Sequence, residues 1–259
     1  MNQDNSTITT RVQREKEAHD ESAVGECNAR LQHRFEHVFE CPNSRRAELY
    51  FDEAVKSVAA VPGSCALDYG CSSGWYSKNL KNLGFAKIYG IDISTKAIEE
   101  AHERFSKVGD FAVMDAHHTT FADKYFDLVV GRAILHHLDF ETALTEICRI
   151  LRPGGKAVFF EPLRDNPAAK FIRWLTPQAR TKDELPLSAE QIRWANKVFG
   201  NEHHLFVGLV SVGIGLGSSL ISKNPNNLAL RLADRADTRI AQGPLKYWMR
   251  YVVLVWEKQ

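Results

Sequence analysis

Hydrophobic positions divide the chain into short apolar runs and longer segments in which apolar residues recur every three or four positions. Between Ser44 and Pro62 the spacing is helical, which predicts an amphipathic helix capped by Ser44 and ended by Pro62-Gly63. The next run, residues 65–69, is short and mostly apolar, which indicates a strand buried in a sheet. A helix followed by a buried strand opens a pattern that continues along the chain.

The same alternation fills about the next hundred residues. It predicts further strands at residues 87–91, 111–114, 125–130 and 156–160. It predicts helices at residues 73–83, 94–105 and 140–151, the last separated from its strand by a Pro153-Gly154-Gly155 turn. Short apolar strands that alternate with amphipathic helices are typical of a parallel sheet covered on both faces.

The pattern becomes less regular after Glu161-Pro162. Helices are predicted from Ser188 to Phe199 and over residues 228–240, and a final strand over residues 247–256. Residues 205–221 carry no charge, but they fall short of the roughly 20 apolar residues that span a bilayer and contain several glycines. We interpret this stretch as buried structure or as a surface that contacts an apolar partner.

Composition limits the classes of function. The chain has 259 residues, 44% of them hydrophobic, and a formal net charge of +1, so nothing in the total charge attracts nucleic acid or anionic lipid. Its five cysteines include no CxxC pair, which argues against a disulfide framework and against a structural zinc site. Residues 1–10 are polar and do not resemble a signal peptide, so we expect a cytoplasmic protein.

Acidic and glycine residues stand where the predicted strands end. The segment Asp68-Tyr69-Gly70-Cys71-Ser72-Ser73-Gly74 follows the first strand, and Asp92 ends the second. Asp115 comes after the third strand, and Gly131-Arg132-Ala133 ends the fourth. A glycine turn lets a ligand approach bare backbone amides, and a carboxylate at the next strand end can accept hydrogen bonds from ribose hydroxyls. The pattern indicates a site for a nucleoside-bearing cofactor.

The order of these motifs over roughly residues 60–165 resembles the class I S-adenosylmethionine-dependent methyltransferases, in particular the small-molecule, UbiE-like type (methyltransferase type 11). The resemblance implies an α/β fold: a Rossmann-like, seven-stranded, mostly parallel sheet with helices on both faces and a helical or irregular substrate cap. It implies an N-terminal lid or flexible segment at 1–43, a cofactor-binding core at 44–163, a cap with late core elements at 164–243 and a final strand at 244–259.

The resemblance also implies roles at matching positions. Asp68 would orient the turn or meet the cofactor's ammonium group, Asp92 would bind ribose and Asp115 the adenine amino group. Ser72 departs from the family pattern, which has glycine there, so we expect a slightly displaced turn. Cys71 is interpreted as a packed small residue. The predicted contacts to S-adenosylmethionine, or to its product S-adenosylhomocysteine, are Asp68, Gly70, Cys71, Ser72, Gly74, Asp92, Ile93, Asp115, Ala116, Gly131 and Arg132.

Histidines are the candidate catalytic residues. His136 and His137 follow the fourth strand, and since adjacent side chains point in different directions, at most one is expected to face the substrate, as a general base or hydrogen-bonded beside the cofactor. His19, in Glu17-Ala18-His19-Asp20, resembles part of the lid segment and could reach the substrate. The pairs at His117 and His203 lack partners at metal-ligand spacing, so no metal is expected.

The leading hypothesis is methyl transfer from S-adenosylmethionine to oxygen, nitrogen or carbon of a small hydrophobic or aromatic metabolite. Aromatic residues of the cap would line the substrate pocket, or would fill the cap's own core: Phe171, Trp174, Trp194, Phe199 and Phe206.

Alternatives are a cofactor-binding scaffold with a binding or non-methylating role, a quinone or lipid-like C-methyltransferase in peripheral contact with a membrane, and a nicotinamide-dependent oxidoreductase. A nucleic-acid methyltransferase is disfavoured because Gly131-Arg132-Ala133-Ile134 stands where the base-amino signature would be.

Overall fold

A single seven-stranded sheet organises the molecule. The computed structural model describes residues 13, 16, 36–175 and 185–259. Strand order is β3-β2-β1-β4-β5-β7-β6, with β1 to β5 parallel and β7 antiparallel to both of its neighbours. The strands are β1 Cys65–Tyr69, β2 Lys87–Asp92, β3 Asp110–Val113, β4 Phe126–Arg132, β5 Leu151–Pro162, β6 Leu205–Val207 and β7 Tyr251–Glu257. The predicted mostly parallel, Rossmann-like sheet is confirmed.

Helices connect the strands and flank them. They are α1 Glu36–Phe39, α2 Pro42–Ala59, α3 Trp75–Leu83, α4 Thr95–Phe105, α5 Phe140–Ile150, α6 Pro167–Leu175, α7 Ala189–Phe199, α8 Val210–Ser218 and α9 Leu228–Ile240. Two predicted caps are confirmed: the Ser94 hydroxyl accepts the Ala97 N–H, and Ser188 forms a capping box with Gln191. The predicted cap at Ser44 is wrong, because α2 already begins at Pro42. Of the predicted N-terminal lid at 1–43, residues 13, 16 and 36–43 are described, whereas His19 lies outside the described residues.

Each face of the sheet carries its own hydrophobic core. On one face, Leu67, Phe159 and Trp256 pack in a cluster with apolar residues of α5 and α7. On the other, Leu128 and Val253 belong to a cluster with apolar residues of α2 and α3. Strand β1 is buried along its whole length, because it lies in the middle of the sheet with helices on both sides.

The predicted turn at Pro153-Gly154-Gly155 is wrong, because these residues lie inside β5. Gly154 has a positive φ of +76°, and the pairing register with β4 shifts between Phe126 and Leu128. The Gly154 N–H donates to the Lys258 carbonyl at 2.6 Å, and the Lys258 N–H donates to the Gly155 carbonyl at 2.9 Å. Pairing with the distant C-terminal end of the chain therefore holds the segment in the sheet.

The uncharged stretch 205–221 is divided between two elements. Its first residues form the edge strand β6 and the next form helix α8, although sequence reasoning gave no strand there. The final strand begins at Tyr251 instead of residue 247, because Pro244–Trp248 forms a 3-10 helix. Within the described ranges, no helix is both long and apolar enough to cross a membrane.

Candidate functional site

A cavity of about 230 Å³ opens at the carboxyl ends of β1, β2 and β4. From β1 the chain continues through β2 and β3 toward one edge of the sheet, and it then returns to form β4 on the other side of β1. The order of the strands therefore reverses at this point. In open parallel sheets, ligands bind at such a switch point. The residues that line the cavity are Gly70, Ser72, Ile91, Asp92, Ile93, Ser94, Ala97, Met114, Asp115, Ala116, His117, Arg132, Ala133, Ile134, His137 and Leu138.

The turn after β1 forms one wall. Gly70 has a φ of +79°, and the backbone N–H groups of Gly70 and Cys71 both donate to the Ile91 carbonyl at 2.9 Å. A Cβ at position 70 would lie 2.7 Å from the Ile134 side chain, which is closer than real contacts allow. Packing against Ile134 and the positive φ both require glycine at this position.

Asp92 joins the turn to the start of α4. Its two carboxylate oxygens accept the N–H groups of Ser72 and Ser94, each at 2.9 Å. Ser72 has a φ of +48°, a left-handed conformation that is costly for a residue with a Cβ. Ala133, on the opposite wall, has a φ of +54°. Backbone strain of this kind tends to accumulate at functional sites, and both residues line the cavity.

Asp115 is held by His117. The Asp115 Oδ1 accepts the His117 N–H at 2.9 Å, and the His117 Nδ1 lies 2.7 Å from the same oxygen. The His117 Nε2 accepts the Asp139 N–H, so Nδ1 is the ring nitrogen that carries the hydrogen and donates to Asp115. Burial acts to raise the pKa of Asp115, but the hydrogen bonds from His117 outweigh it and hold that pKa below its ordinary value. Asp115 therefore stays a carboxylate, an acceptor only.

Asp68 lies beneath the turn and away from the cavity wall. Its carboxyl group is buried and accepts the Ser77 hydroxyl at 2.6 Å. Burial raises the pKa of Asp68 to about 7, although the Ser77 hydrogen bond acts against this shift. The position fits orientation of the turn, one of the two roles that the resemblance implied.

The two adjacent histidines occupy different environments. His136 is buried, with Nδ1 2.7 Å from Glu161 Oε2, while Glu161 Oε1 accepts the N–H groups of Ile134 and Leu135 at 2.9 Å. His137 is half-buried and lines the cavity, whereas His136 does not. Of the pair, only His137 stands where a base could face a bound substrate. The buried Glu161 instead fixes the backbone of this segment.

Arg132 ties the cavity to helix α2. Its guanidinium donates to both carboxylate oxygens of Glu48, at 2.5 and 2.8 Å, and stacks over the rings of Phe51 and Phe160 at 4.9 and 5.1 Å. Burial acts to lower the pKa of Arg132, but the Glu48 carboxylate reverses this and raises it. The guanidinium is thus held against α2, and Arg132 is also part of the cavity wall.

The comparisons with known proteins bear on this cavity. A family model described as a methyltransferase domain matches residues 67–159, the span from β1 to β5 that carries the cavity. The resemblance to the class I S-adenosylmethionine-dependent methyltransferases is supported over this span, and named methyltransferases are among the relatives of the chain. The cofactor of this family is S-adenosylmethionine, and solved methyltransferases of the same fold hold it or S-adenosylhomocysteine.

Individual relatives of this chain are distant. The O-methyltransferase cnsE of Penicillium expansum is 28% identical over 155 residues, which cover 54% of this chain and 56% of the relative. The 2-phytyl-1,4-naphtoquinone methyltransferase of Nostoc punctiforme is 29% identical over 167 residues, which cover 61% of this chain and 69% of the relative. The chain thus spans 56% to 69% of the length of these relatives.

One solved structure that shares the fold is named as a cyclase and not as a methyltransferase. The [4+2]-cyclase SpnF aligns with a TM-score of 0.56 at 21% identity, over 83% of this chain and 82% of its own. At this identity the likeness concerns the fold alone. The methyltransferase fold therefore also occurs in a protein named for a cyclisation.

The structure brings most of the predicted methyltransferase site together. Predicted cofactor residues that lie on the cavity wall are Gly70, Ser72, Asp92, Ile93, Asp115, Ala116 and Arg132. Asp68, Cys71, Gly74 and Gly131 do not line it. A Cβ at Gly74 would lie 3.1 Å from Phe111, and one at Gly131 would lie 2.6 Å from Phe159, so these glycines serve packing. Cys71 is buried, which raises the pKa of its thiol and agrees with a packed residue.

Sequence reasoning missed part of the wall. Ser94, Met114 and His117 lie within two residues of a predicted acid, and that proximity is a signal that could have found them. Ile134 and Leu138 follow β4 and lie on either side of the two candidate histidines. These apolar side chains add hydrophobic surface to the cavity wall, and nothing in the local pattern indicated it.

The aromatic residues proposed as substrate walls do not line the cavity. Phe199 and Phe206 are buried in the core on one face of the sheet, where Phe199 stacks on Trp256 with ring centroids 5.5 Å apart. Trp194 packs against the same core, while Phe171 and Trp174 are exposed. The alternative that cap aromatics fill a core therefore fits Phe199 and Phe206, because α7 and β6 join the main sheet.

Proposed function

We propose that this protein transfers a methyl group from S-adenosylmethionine to oxygen, nitrogen or carbon of a small, hydrophobic or aromatic metabolite. The observation that carries the proposal is the cavity at the switch point of the sheet, which is lined by Asp92 and Asp115 together with apolar residues. Such a mixture of few polar groups and an apolar lining suits a nucleoside with an attached apolar chain.

The groups present on the cavity wall fit this cofactor. A carboxylate offers about four lone-pair sites, and two backbone N–H groups use one site on each oxygen of Asp92. Each oxygen can therefore accept one more donor, as two neighbouring ribose hydroxyls require. Asp115 keeps its charge and can accept from the adenine amino group, while Ile93 and Leu138 would cover the faces of the base.

S-adenosylmethionine supplies an electrophilic methyl group on a positively charged sulfur. The protein's contribution is to align the acceptor with that methyl group and to exclude water, and alignment alone can supply several kcal/mol. His137 is the histidine placed to take a proton from an oxygen acceptor, and an amine acceptor with a free lone pair needs no base.

The free thiols of the described residues suit a reducing compartment such as the cytoplasm. They are Cys41, Cys65, Cys71 and Cys148.

The proposal is tested by supplying S-adenosylmethionine with a panel of phenols, quinols and amines and measuring S-adenosylhomocysteine. We expect formation that depends on one acceptor class. With an oxygen acceptor, His137→Gln should lower kcat roughly 100-fold or more, the usual effect of losing a general base, and leave cofactor affinity unchanged. His118→Gln, at an exposed position, is the matched control. Tighter binding of NADH than of S-adenosylmethionine would contradict the proposal.

A second candidate is a binding or non-methylating function on the same fold. The likeness to the [4+2]-cyclase SpnF supports considering it, since the fold is shared. This candidate predicts cofactor binding, together with conversion of a substrate without release of S-adenosylhomocysteine. The acceptor panel separates the two, because only methyl transfer links product to S-adenosylhomocysteine in equal amounts. A quinone or lipid-like C-acceptor is the finer form of the first candidate, in line with the named quinone methyltransferase.

A further inference from the structure

Helix α8 presents an apolar stripe to solvent. Val210, Gly213, Ile214 and Gly217 follow the three-and-four spacing of one helix face, and all four are exposed. A Cβ on either glycine would meet nothing within 4 Å. Each glycine inside a helix costs about 1 kcal/mol relative to alanine, and packing within the described residues does not explain these two. The outer face of α8 is therefore flat and apolar, and no residue of the described part of the chain packs on Gly213 or Gly217.

The loop after α8 adds two large exposed side chains. Leu220 and Ile221 are 88% and 90% exposed. Their backbone is nevertheless anchored: the Leu220 and Ile221 N–H groups donate to the carbonyls of Gly217 and Ser218, at 3.2 and 3.1 Å. The side chain of Asn227 also donates to the Ser218 hydroxyl at 2.6 Å. The fold thus holds two adjacent aliphatic side chains in water, at the point where α8 leads to α9.

Helix α9 carries a second stripe, which is both apolar and basic. Leu228 and Leu232 are exposed, and the opposite face of the helix, with Leu230, Ala233 and Asp237, is buried. The arginines that share the outer face are Arg231, Arg235 and Arg239, and all three are exposed. The outer face of α9 thus combines exposed leucines, which can meet acyl chains, with exposed arginines, which can meet anionic headgroups.

Charge along residues 203–233 has one sign. Residues 203–233 include Lys223 and Arg231 but no aspartate or glutamate. Asp234 forms an ion pair with Arg46 at 2.6 Å, and Asp237 is fully buried. The chain's net charge of +1 conceals this local excess of positive charge. Cations beside exposed aliphatic side chains match an anionic lipid surface, where the former meet headgroups and the latter meet acyl chains.

We propose that the outer faces of α8 and α9 with the 219–227 loop, here called the α8–α9 surface, dock on an anionic bilayer. Leu220 and Ile221 enter the interfacial region, and Arg231, Arg235 and Arg239 stay among the headgroups. A second copy of the chain is a poorer occupant, because a two-fold contact through this surface brings the same arginines together. The proposal does not depend on the proposed reaction, although a membrane-dissolved acceptor would explain its use.

Co-sedimentation of the full chain with vesicles tests the proposal. Phosphatidylcholine vesicles are compared with vesicles containing 30% phosphatidylglycerol (about one anionic lipid in three), at low and high salt. We expect binding to the anionic vesicles only, weakened by salt. Arg231→Gln with Arg235→Gln should lower the partition coefficient roughly 25-fold, since each cation near such a surface contributes about a factor of five. Leu220→Ser with Ile221→Ser should also abolish most binding.

Matched controls remove exposed cations and an exposed aliphatic side chain elsewhere. Lys81→Gln with Lys107→Gln removes two exposed cations, one on α3 and one in the loop before β3, and Val61→Ser removes an exposed aliphatic side chain. All substituted positions are exposed, so the variants should keep the melting temperature of the original chain. Absence of binding, equal binding to both vesicle types, or equal loss in the controls overturns the proposal. A dimer in light scattering that Leu220→Ser with Ile221→Ser disrupts, without vesicle binding, also overturns it.

Discussion

At the residue scale, Asp92 connects three parts of the site. It ends β2, holds the turn after β1 through the Ser72 N–H, and holds the start of α4 through the Ser94 N–H. The strained φ of Ser72 is stabilised by this hydrogen bond, which keeps a serine usable where the family has glycine. A carboxylate that organises the backbone around it is also positioned in advance for a ligand.

Asp92→Ala should weaken binding of S-adenosylmethionine by about 1.5–3 kcal/mol, the usual contribution of a hydrogen bond to a charged acceptor. Isothermal titration calorimetry measures the change. Glu99→Ala, which removes the same charge from an exposed position on α4, should leave the affinity within error. Unchanged affinity in Asp92→Ala would contradict the assignment of this residue to the ribose.

Asp68 predicts a pH dependence of stability. Its folded-state pKa of about 7 lies above the ordinary 3.8, so between these values the folded chain binds a proton that the unfolded chain releases. The free energy of unfolding should therefore fall as pH rises from about 4 to 7. The contribution of this group is on the order of 4 kcal/mol over that window, because each pKa unit corresponds to about 1.4 kcal/mol.

Asp68→Asn tests this dependence, because an amide keeps the size of the side chain and cannot ionise. Urea denaturation at pH 5 and pH 8 should show a smaller loss of stability for Asp68→Asn than for the original chain. Asp110→Asn, at an exposed position, should behave like the original chain. The same loss in all three proteins would show that ionisation of Asp68 does not limit stability.

At the scale of elements, α8 depends on a carboxylate from another helix. Asp237 of α9 is fully buried and accepts the N–H groups of Leu209, Val210 and Ser211 at 2.7–3.2 Å. The first N–H groups of a helix have no carbonyl partner inside the helix. A negative charge at this N-terminal end also interacts favourably with the helix dipole. Asp237 thus replaces a local cap, since α8 has none of its own.

Asp237→Ala should lower the free energy of unfolding by about 1.5–3 kcal/mol, because the N–H groups of α8 lose a charged acceptor. Chemical denaturation followed by circular dichroism measures the change. Asp234→Ala on the same helix is the matched control, and it should cost less than about 1 kcal/mol because its pair with Arg46 is partly exposed. Equal effects of the two substitutions would argue against the capping role.

At the scale of the whole molecule, the cavity belongs to no single element. Its wall comes from the ends of β1, β2 and β4, the start of α4 and the residues after β3, and Arg132 extends the connection to α2 through Glu48. A ligand in the cavity would therefore stabilise many elements at once. Binding to the folded chain alone raises stability according to ligand concentration and affinity.

S-adenosylhomocysteine at about 100 times its Kd should stabilise the fold by about 2.7 kcal/mol. For a chain of this size that corresponds to a rise in Tm of roughly 5–11 °C, which differential scanning calorimetry measures. NADH at the same concentration should give no comparable rise. A larger rise with NADH would favour the oxidoreductase alternative and contradict the proposed cofactor.

The sequence by itself determined the order of elements through β5. Buried strands and amphipathic helices have different apolar periods, and Ser94 and Ser188 form their caps with residues three positions away. The acids of the motif could also be located from the sequence, because Asp92 ends the second predicted strand and Asp115 comes directly after the third. Local signals of this kind need no knowledge of distant residues.

Only the tertiary structure decided which residues face the cavity and which elements complete the sheet. His137 lines the cavity while His136 bonds to Glu161, 25 residues later, and Phe206 packs in the core because β6 pairs with β7. Pro153-Gly154-Gly155 lies in a strand because the C-terminal end pairs with it. The direction of a side chain and the pairing of an edge depend on contacts between residues far apart in the chain, and these contacts leave no periodic pattern in the sequence.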